Sequence, residues 1–132
     1  MPIQQITVFL ENKIGGLADV TRVLEKENIN LQGFSATEAG DYSVIRLVIS
    51  EVDKAKEALE KAGFLTHMTK AICVRIEDRP GELLKVLDTL SASNIDIDYT
   101  YIIAGTRVVM NLSELEKAEN LLKKKGFLIC NE

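Results

Sequence analysis

Histidine, cysteine and aromatic residues are scarce in this chain: 132 residues hold one histidine, His67, two cysteines, and only 5% aromatics. A lone histidine without a motif partner leaves no Ser/His/Asp or Cys/His grouping. HExxH and the phosphate-cradling GxxxxGK[ST] are also missing, so nucleophilic, zinc-peptidase and nucleotide-hydrolysing chemistry lack their parts. The chain is expected not to be an enzyme and to need no metal or cofactor. Cys73 and Cys130 lack CxxC spacing and a neighbouring histidine, and sit in apolar, strand-like stretches that suit reduced core thiols. No apolar run nears the roughly 18 residues of a membrane span, and "MPIQQITVFL" lacks the basic flank and apolar core of a secretory signal. The expected location is cytoplasmic, away from membranes. Excess positive charge is missing too: the formal net charge is -4 and the pI is near 5.1, so neither phosphate backbones nor anionic lipid are expected to attract it. With so few aromatics and an acidic balance, a nucleic-acid partner is not expected.

What is present is a real core, with 46% hydrophobic and 27% charged residues, and a duplication. At an offset of 66, Ile6, Val8, Leu10, Glu11, Gly15, Leu17, Val20, Leu24, Asn28, Ile29 and Leu31 meet Ile72, Val74, Ile76, Glu77, Gly81, Leu83, Val86, Leu90, Asn94, Ile95 and Ile97. Further along, "AGFL" at Ala62 meets "KGFL" at Lys125 at an offset of 63, so the second copy has lost about three residues near its middle loop. The expected division is residues 1–69 and 70–132.

Within a copy, Ile6, Val8 and Leu10 alternate as a half-buried strand does, and the period then changes. Leu17, Val20, Val23 and Leu24 share one helix face, as do Leu83, Val86, Leu87 and Leu90; "NIN" and "NID" end those helices. A second strand from about Asn30 to Ala39 turns at Gly40-Asp41 into "YSVIRLVI"; Gly105 marks the same turn in the second copy. "SEVDKAKEALEKAG" and "SELEKAENLLKKKG" predict second helices that end on glycine, the latter opening with a capping-box pattern, Ser113 with Glu116. "FLTHMT" and "FLICN" supply last short strands. The order β-α-β-β-α-β predicts an α+β fold of tandem ferredoxin-like units, each an antiparallel sheet with both helices on one face.

The unit, with "ENKIGGLADVTRVLEKENINL" or "EDRPGELLKVLDTLSASNIDI" after its first strand, resembles the ACT domain, a small-molecule-sensing module of amino-acid metabolism. The similarity covers nearly the whole chain, twice. It implies a non-catalytic regulator that binds an amino acid between paired domains, with the turn after the first strand from one domain and the start of the second strand from its neighbour. Carried onto this sequence, the ligand-binding positions are Asn12, Ile14, Gly15, Gly16, Leu17 and Asn30 in the first copy and Asp78, Pro80, Gly81 and Asp96 in the second. Asp78 and Asp96 depart from the asparagines of the first copy, and Leu10 and Ile76 stand where some sensors carry a histidine. Intrachain pairing would set Asn12 with Asp96 and Asp78 with Asn30. A homodimer is expected, because a four-stranded sheet edge or face should remain open after one intrachain pairing; the alternative role is a scaffold or oligomerisation module with vestigial ligand sites, acting as a detached regulatory subunit of a biosynthetic enzyme.

Elementary chemistry supports an anion seat at the turn. The first turn of a helix has N–H groups without internal partners and the positive end of the macrodipole, and Gly15-Gly16 allow close approach. Glu82 puts a negative charge beside the equivalent donors of the second copy. Plainer readings stand beside these. Asn12 and Asp78 serve equally as turn residues bonded to their own backbone, Asn30 and Asp96 as helix terminators, and the glycines as turn geometry alone. Tyr99 and Tyr101 have the spacing of one strand face.

Overall fold

In the computed structural model, which describes residues 3–130, seven strands and four helices follow in the order β1 (Ile3–Glu11), α1 (Gly16–Lys26), β2 (Leu31–Ala39), β3 (Tyr42–Ile49), α2 (Val52–Lys61), β4 (Leu65–Arg75), α3 (Glu82–Ala92), β5 (Ile97–Ile103), β6 (Arg107–Leu112), α4 (Leu115–Lys124) and β7 (Leu128–Cys130). The α+β architecture and the βαββαβ order of each repeat are as the periodicities predict. Two compact units result, one of residues 4–69 and one running from Lys70 onward together with Ile3.

In the first unit the strand order is β2-β3-β1-β4, with β1 and β2 both antiparallel to β3. Ile6, Val8 and Leu10 alternate toward the helix side, where they meet Ile45, Leu47 and Ile49 of β3 and Val20, Leu24, Ala55 and Leu59 of the helices. In the second unit the order is β5-β6-β4-β7, and Ile72, Val74, Val108 and Met110 pack on Val86, Leu90, Ala118 and Leu122. A helix needs only one apolar stripe to be held this way, and burial of those stripes rather than propensity holds short helices in place.

All four helices end alike. Asn28, Gly63, Asn94 and Gly126 adopt left-handed backbone. The next residue in each case, Ile29, Phe64, Ile95 or Phe127, donates its N–H back to Leu24, Leu59, Leu90 or Leu122. This is the Schellman closure, in which asparagine can replace glycine because its short polar side chain tolerates αL. Thus the first asparagine of "NIN" and of "NID" terminates the helix, and Asn30 and Asp96 lie two residues beyond it.

Three details differ from the sequence expectation. "FLTHMT" and the first strand of the second copy are one continuous strand, β4, whose first half serves one unit and second half the other. Ser113 does not cap α4: the helix starts at Leu115 without a side-chain cap. The Ser113 hydroxyl instead accepts from the Asp96 N–H at 3.1 Å, while the Ser113 N–H donates to the Asp96 carbonyl at 3.0 Å. A bond across to the head of β5 has taken the hydroxyl that a local pattern reserves for the helix. Finally, β2 and β5 each carry an irregularity near their start, between Leu31 and Gly33 and between Ile97 and Tyr99.

Candidate functional site

The turn from β1 into α1 is built around two glycines that play different parts. Gly15 has φ 86° and is the residue before the helix, a backbone that only glycine adopts without strain. Gly16 begins the helix and is buried; a Cβ there would lie 3.3 Å from Leu10 Cδ1. Gly15 supplies no side-chain cap. The Gly16 N–H reaches Lys13 at 3.3 Å and the Asp19 N–H reaches Gly15 at 2.9 Å. Between them, among the described residues, no backbone acceptor meets the Leu17 and Ala18 N–H groups. The result is a pair of donors without backbone partners at the positive end of a helix. Open space surrounds Gly15, and Ile14 projects its side chain fully into solvent.

Asn12 could have capped this helix and does not. Its Nδ2 donates to the Gly40 carbonyl at 2.6 Å, its Oδ1 accepts from the Ser43 hydroxyl, and its own N–H donates to the Asp41 carbonyl at 2.9 Å. The side chain therefore fastens the turn to the tip of the β2–β3 hairpin of its own unit. One donor hydrogen and one lone pair remain for a further partner. Asn30 stands exposed at the head of β2 and lines, with Asn28, Thr21 and Leu31, an open depression of about 330 Å³.

The second unit repeats the backbone and changes the chemistry. Gly81 has φ 86°, precedes α3 and supplies no cap. The Leu83 and Leu84 N–H groups lack a backbone acceptor among the described residues, as Leu17 and Ala18 do. Glu82 occupies the place of Gly16. Its carboxylate accepts from Lys85 Nζ at 2.7 Å and lies 3.6 Å from Arg79 Nε, while Arg79 also pairs with Glu77. The hydrogen bond from Lys85, with help from the charges of Lys85 and Arg79, holds Glu82 below the usual carboxylate range. A fixed anion with its own cations already sits beside these donors. Asp78 and Pro80 are exposed in the turn. Asp96 is exposed as well, its backbone held at both ends by Ser113.

The repeated corner thus brings Asn12, Ile14, Gly15, Gly16 and Leu17 together in the first unit and Asp78, Pro80 and Gly81 in the second, while Asn30 and Asp96 lie at the opposite end of their helices. Sequence reasoning passed over Gln32. It stands at the β2 irregularity, and its Oε1 is buried with no hydrogen-bond partner among the described residues, which leaves one acceptor near the head of the strand. The adjacent Gly33 was the available signal, because an isolated glycine in a strand often marks a bulge. Tyr99 and Tyr101 do share a face, their rings stacked 6.3 Å apart. Among the described residues no three histidine, cysteine or acidic side chains gather as a metal site, and no helix is long and apolar enough to cross a membrane.

The sequence profile of the family described as "ACT domain pair" matches residues 1–131. The chain belongs to this family. Among solved structures, this ACT domain pair is similar to protein BT0572 from Bacteroides thetaiotaomicron, at 37% identity over 98% of this chain and 92% of that one, with a TM-score of 0.92. The regulatory subunits of aspartate kinase from Thermus thermophilus, in its ligand-free form, and Thermus flavus share the fold. They match at 16% and 17% identity, with TM-scores of 0.69 and 0.65 over 91% of this chain and 88% of each of theirs. A search of curated proteins found no match.

Proposed function

We propose that the protein is a non-catalytic, amino-acid-binding regulator made of two ACT domains, residues 1–69 and 70–132, acting in the cytoplasm as a homodimer on a biosynthetic enzyme. The open first turn of α1 carries this reading. Leu17 and Ala18 present paired N–H donors of the kind an α-carboxylate takes up, and the bare backbone of Gly15, with open space where a Cβ would be, leaves the approach clear. The ammonium end of the ligand requires oxygen acceptors. Asn30 and Asp96, exposed at the head of the second strand of each repeat, offer them. The ligand regulates by binding one arrangement of the paired domains more tightly than another.

A thermal-shift screen of the twenty amino acids, followed by calorimetry on any hit, tests the reading. A true effector at about 100 times its dissociation constant adds roughly 2.7 kcal/mol of stability. Gly16→Glu, which copies the second repeat into the first, should abolish that gain while the protein still folds, as Glu82 is accommodated at the same helix position. Failure of every amino acid to stabilise the chain would overturn ligand sensing. It would favour the second reading, a scaffold with vestigial sites, to which the occupied corner at Glu82 already lends support.

A further inference from the structure

Cys73 and Cys130 lie directly opposite each other on the antiparallel neighbours β4 and β7. Opposed residues in such a ladder have Cα atoms about 4.5–5.5 Å apart, inside the span that a disulfide bridges. Both side chains leave the sheet on the side away from the core, since Ile72, Val74 and Ile129 point into it. Both thiols are free. Arg75, two residues from Cys73, is paired with Arg107 across β4 and β6, which puts two guanidinium groups on the same face.

We infer that Cys73 and Cys130 form a reversible oxidation site that closes into a disulfide between β4 and β7 when the protein meets a peroxide. Cys130, half-buried on the end strand of its unit, is the sulfur that a solvent oxidant reaches. Its thiolate attacks one peroxide oxygen, the O–O bond breaks, and Cys130 becomes a sulfenic acid as hydroxide leaves. The Cys73 sulfur then attacks the sulfenic sulfur; the S–O bond breaks, the S–S bond forms, and the Cys73 proton leaves with the hydroxyl as water. In sum two thiols give up two electrons and two protons, and one hydrogen peroxide becomes two waters. Cys73 is fully buried, and burial together with its bond to Cys130 pushes its thiol up to about 12 against the pull of Arg107 and Arg75. It therefore stays protonated and inert to solvent, and reacts through its neighbour alone. The first repeat has no such pair: Thr7, at the position of Cys73, meets Thr69 through a 3.2 Å hydroxyl–hydroxyl hydrogen bond.

The test is peroxide treatment of the reduced full-length protein, read by intact mass and by peptide mapping without reduction. The expected product is a monomer lighter by two hydrogens, in which the Cys73 and Cys130 peptides are joined and dithiothreitol restores both thiols. Because the bond encloses most of the unit, the oxidised protein should melt several degrees higher. In Cys130→Ala, Cys73 should remain reduced at the same peroxide dose. Peptides in which Cys130 is a sulfinic acid or is joined to a second chain, with Cys73 still free, would overturn the proposal. So would a Cys73 that oxidises equally fast in Cys130→Ala.

Discussion

The hairpin of the first repeat runs nineteen residues from Leu31 to Ile49, and that of the second runs sixteen from Ile97 to Leu112. The drop in offset from 66 to 63 falls here. With the longer hairpin, the tip reaches the turn after β1, and Asn12 is fastened there by three hydrogen bonds. With the shorter one, the tip meets the chain two residues earlier, where Ile76 donates to the Thr106 carbonyl at 2.8 Å. Asp78, the counterpart of Asn12, is left to solvent. An amide that must both give and receive is required in one repeat and has no task in the other, so a charged side chain is tolerated. The two corners share a backbone and differ in what their surroundings ask of it.

Five substitutions, in three sets, would break or sharpen this contrast. The largest effect belongs to what the repeats share. Gly15→Ala and Gly81→Ala each force a Cβ into left-handed backbone at φ 86°, at about 1–2 kcal/mol apiece. Since no atom lies within 4 Å of either added Cβ, the losses measured by chemical denaturation should be equal; a clearly unequal pair would mean the corners differ in more than side chains. Next comes what separates them. Asn12→Ala removes two side-chain hydrogen bonds and should cost about 1 kcal/mol, whereas Asp78→Ala should fall within the roughly 0.5 kcal/mol of an ordinary surface change. Equal losses in the same denaturation series would dissolve the contrast. The smallest effect is that of Glu82→Gln. A carboxyl group held below its usual range binds fewer protons folded than unfolded, so its stabilisation is present above the unfolded value and is lost as the pH falls below about 4.3. Melting temperatures across that acid range should fall less steeply in Glu82→Gln than in the parent, and parallel curves would refute the role given to Lys85 and Arg79.

The duplicated pattern of Ile6, Val8 and Leu10, and of Val20 and Leu24, was enough to read element order and core, because buried faces impose their period on sequence wherever the elements lie. Helix ends were legible for the same local reason at Gly63 and Gly126, and at the asparagines that stand in for glycine. Side-chain partners far along the chain were not legible. Nothing near Ser113 announces that Asp96 will claim its hydroxyl, and nothing near Asn12 points to Gly40 and Ser43. The fusion of "FLTHMT" with "KAICVR" into one strand was hidden because a strand in two different sheet environments shows two partial patterns rather than one. Of the candidate site, the glycine corner and its bare donors were visible in advance. Glu82 was visible as a charge, without the pairing to Lys85 that determines how it behaves.

Because Asn12 grips the hairpin tip from three directions, the β1–α1 corner and the Gly40–Asp41 tip form one mechanical piece. A push on one is a push on the other. Any molecule that repositions the first corner thereby swings a surface loop some thirty residues away in sequence, and a reporter group attached at the tip would record the event. The second repeat lacks that lever arm, so the same disturbance there would stay where it began.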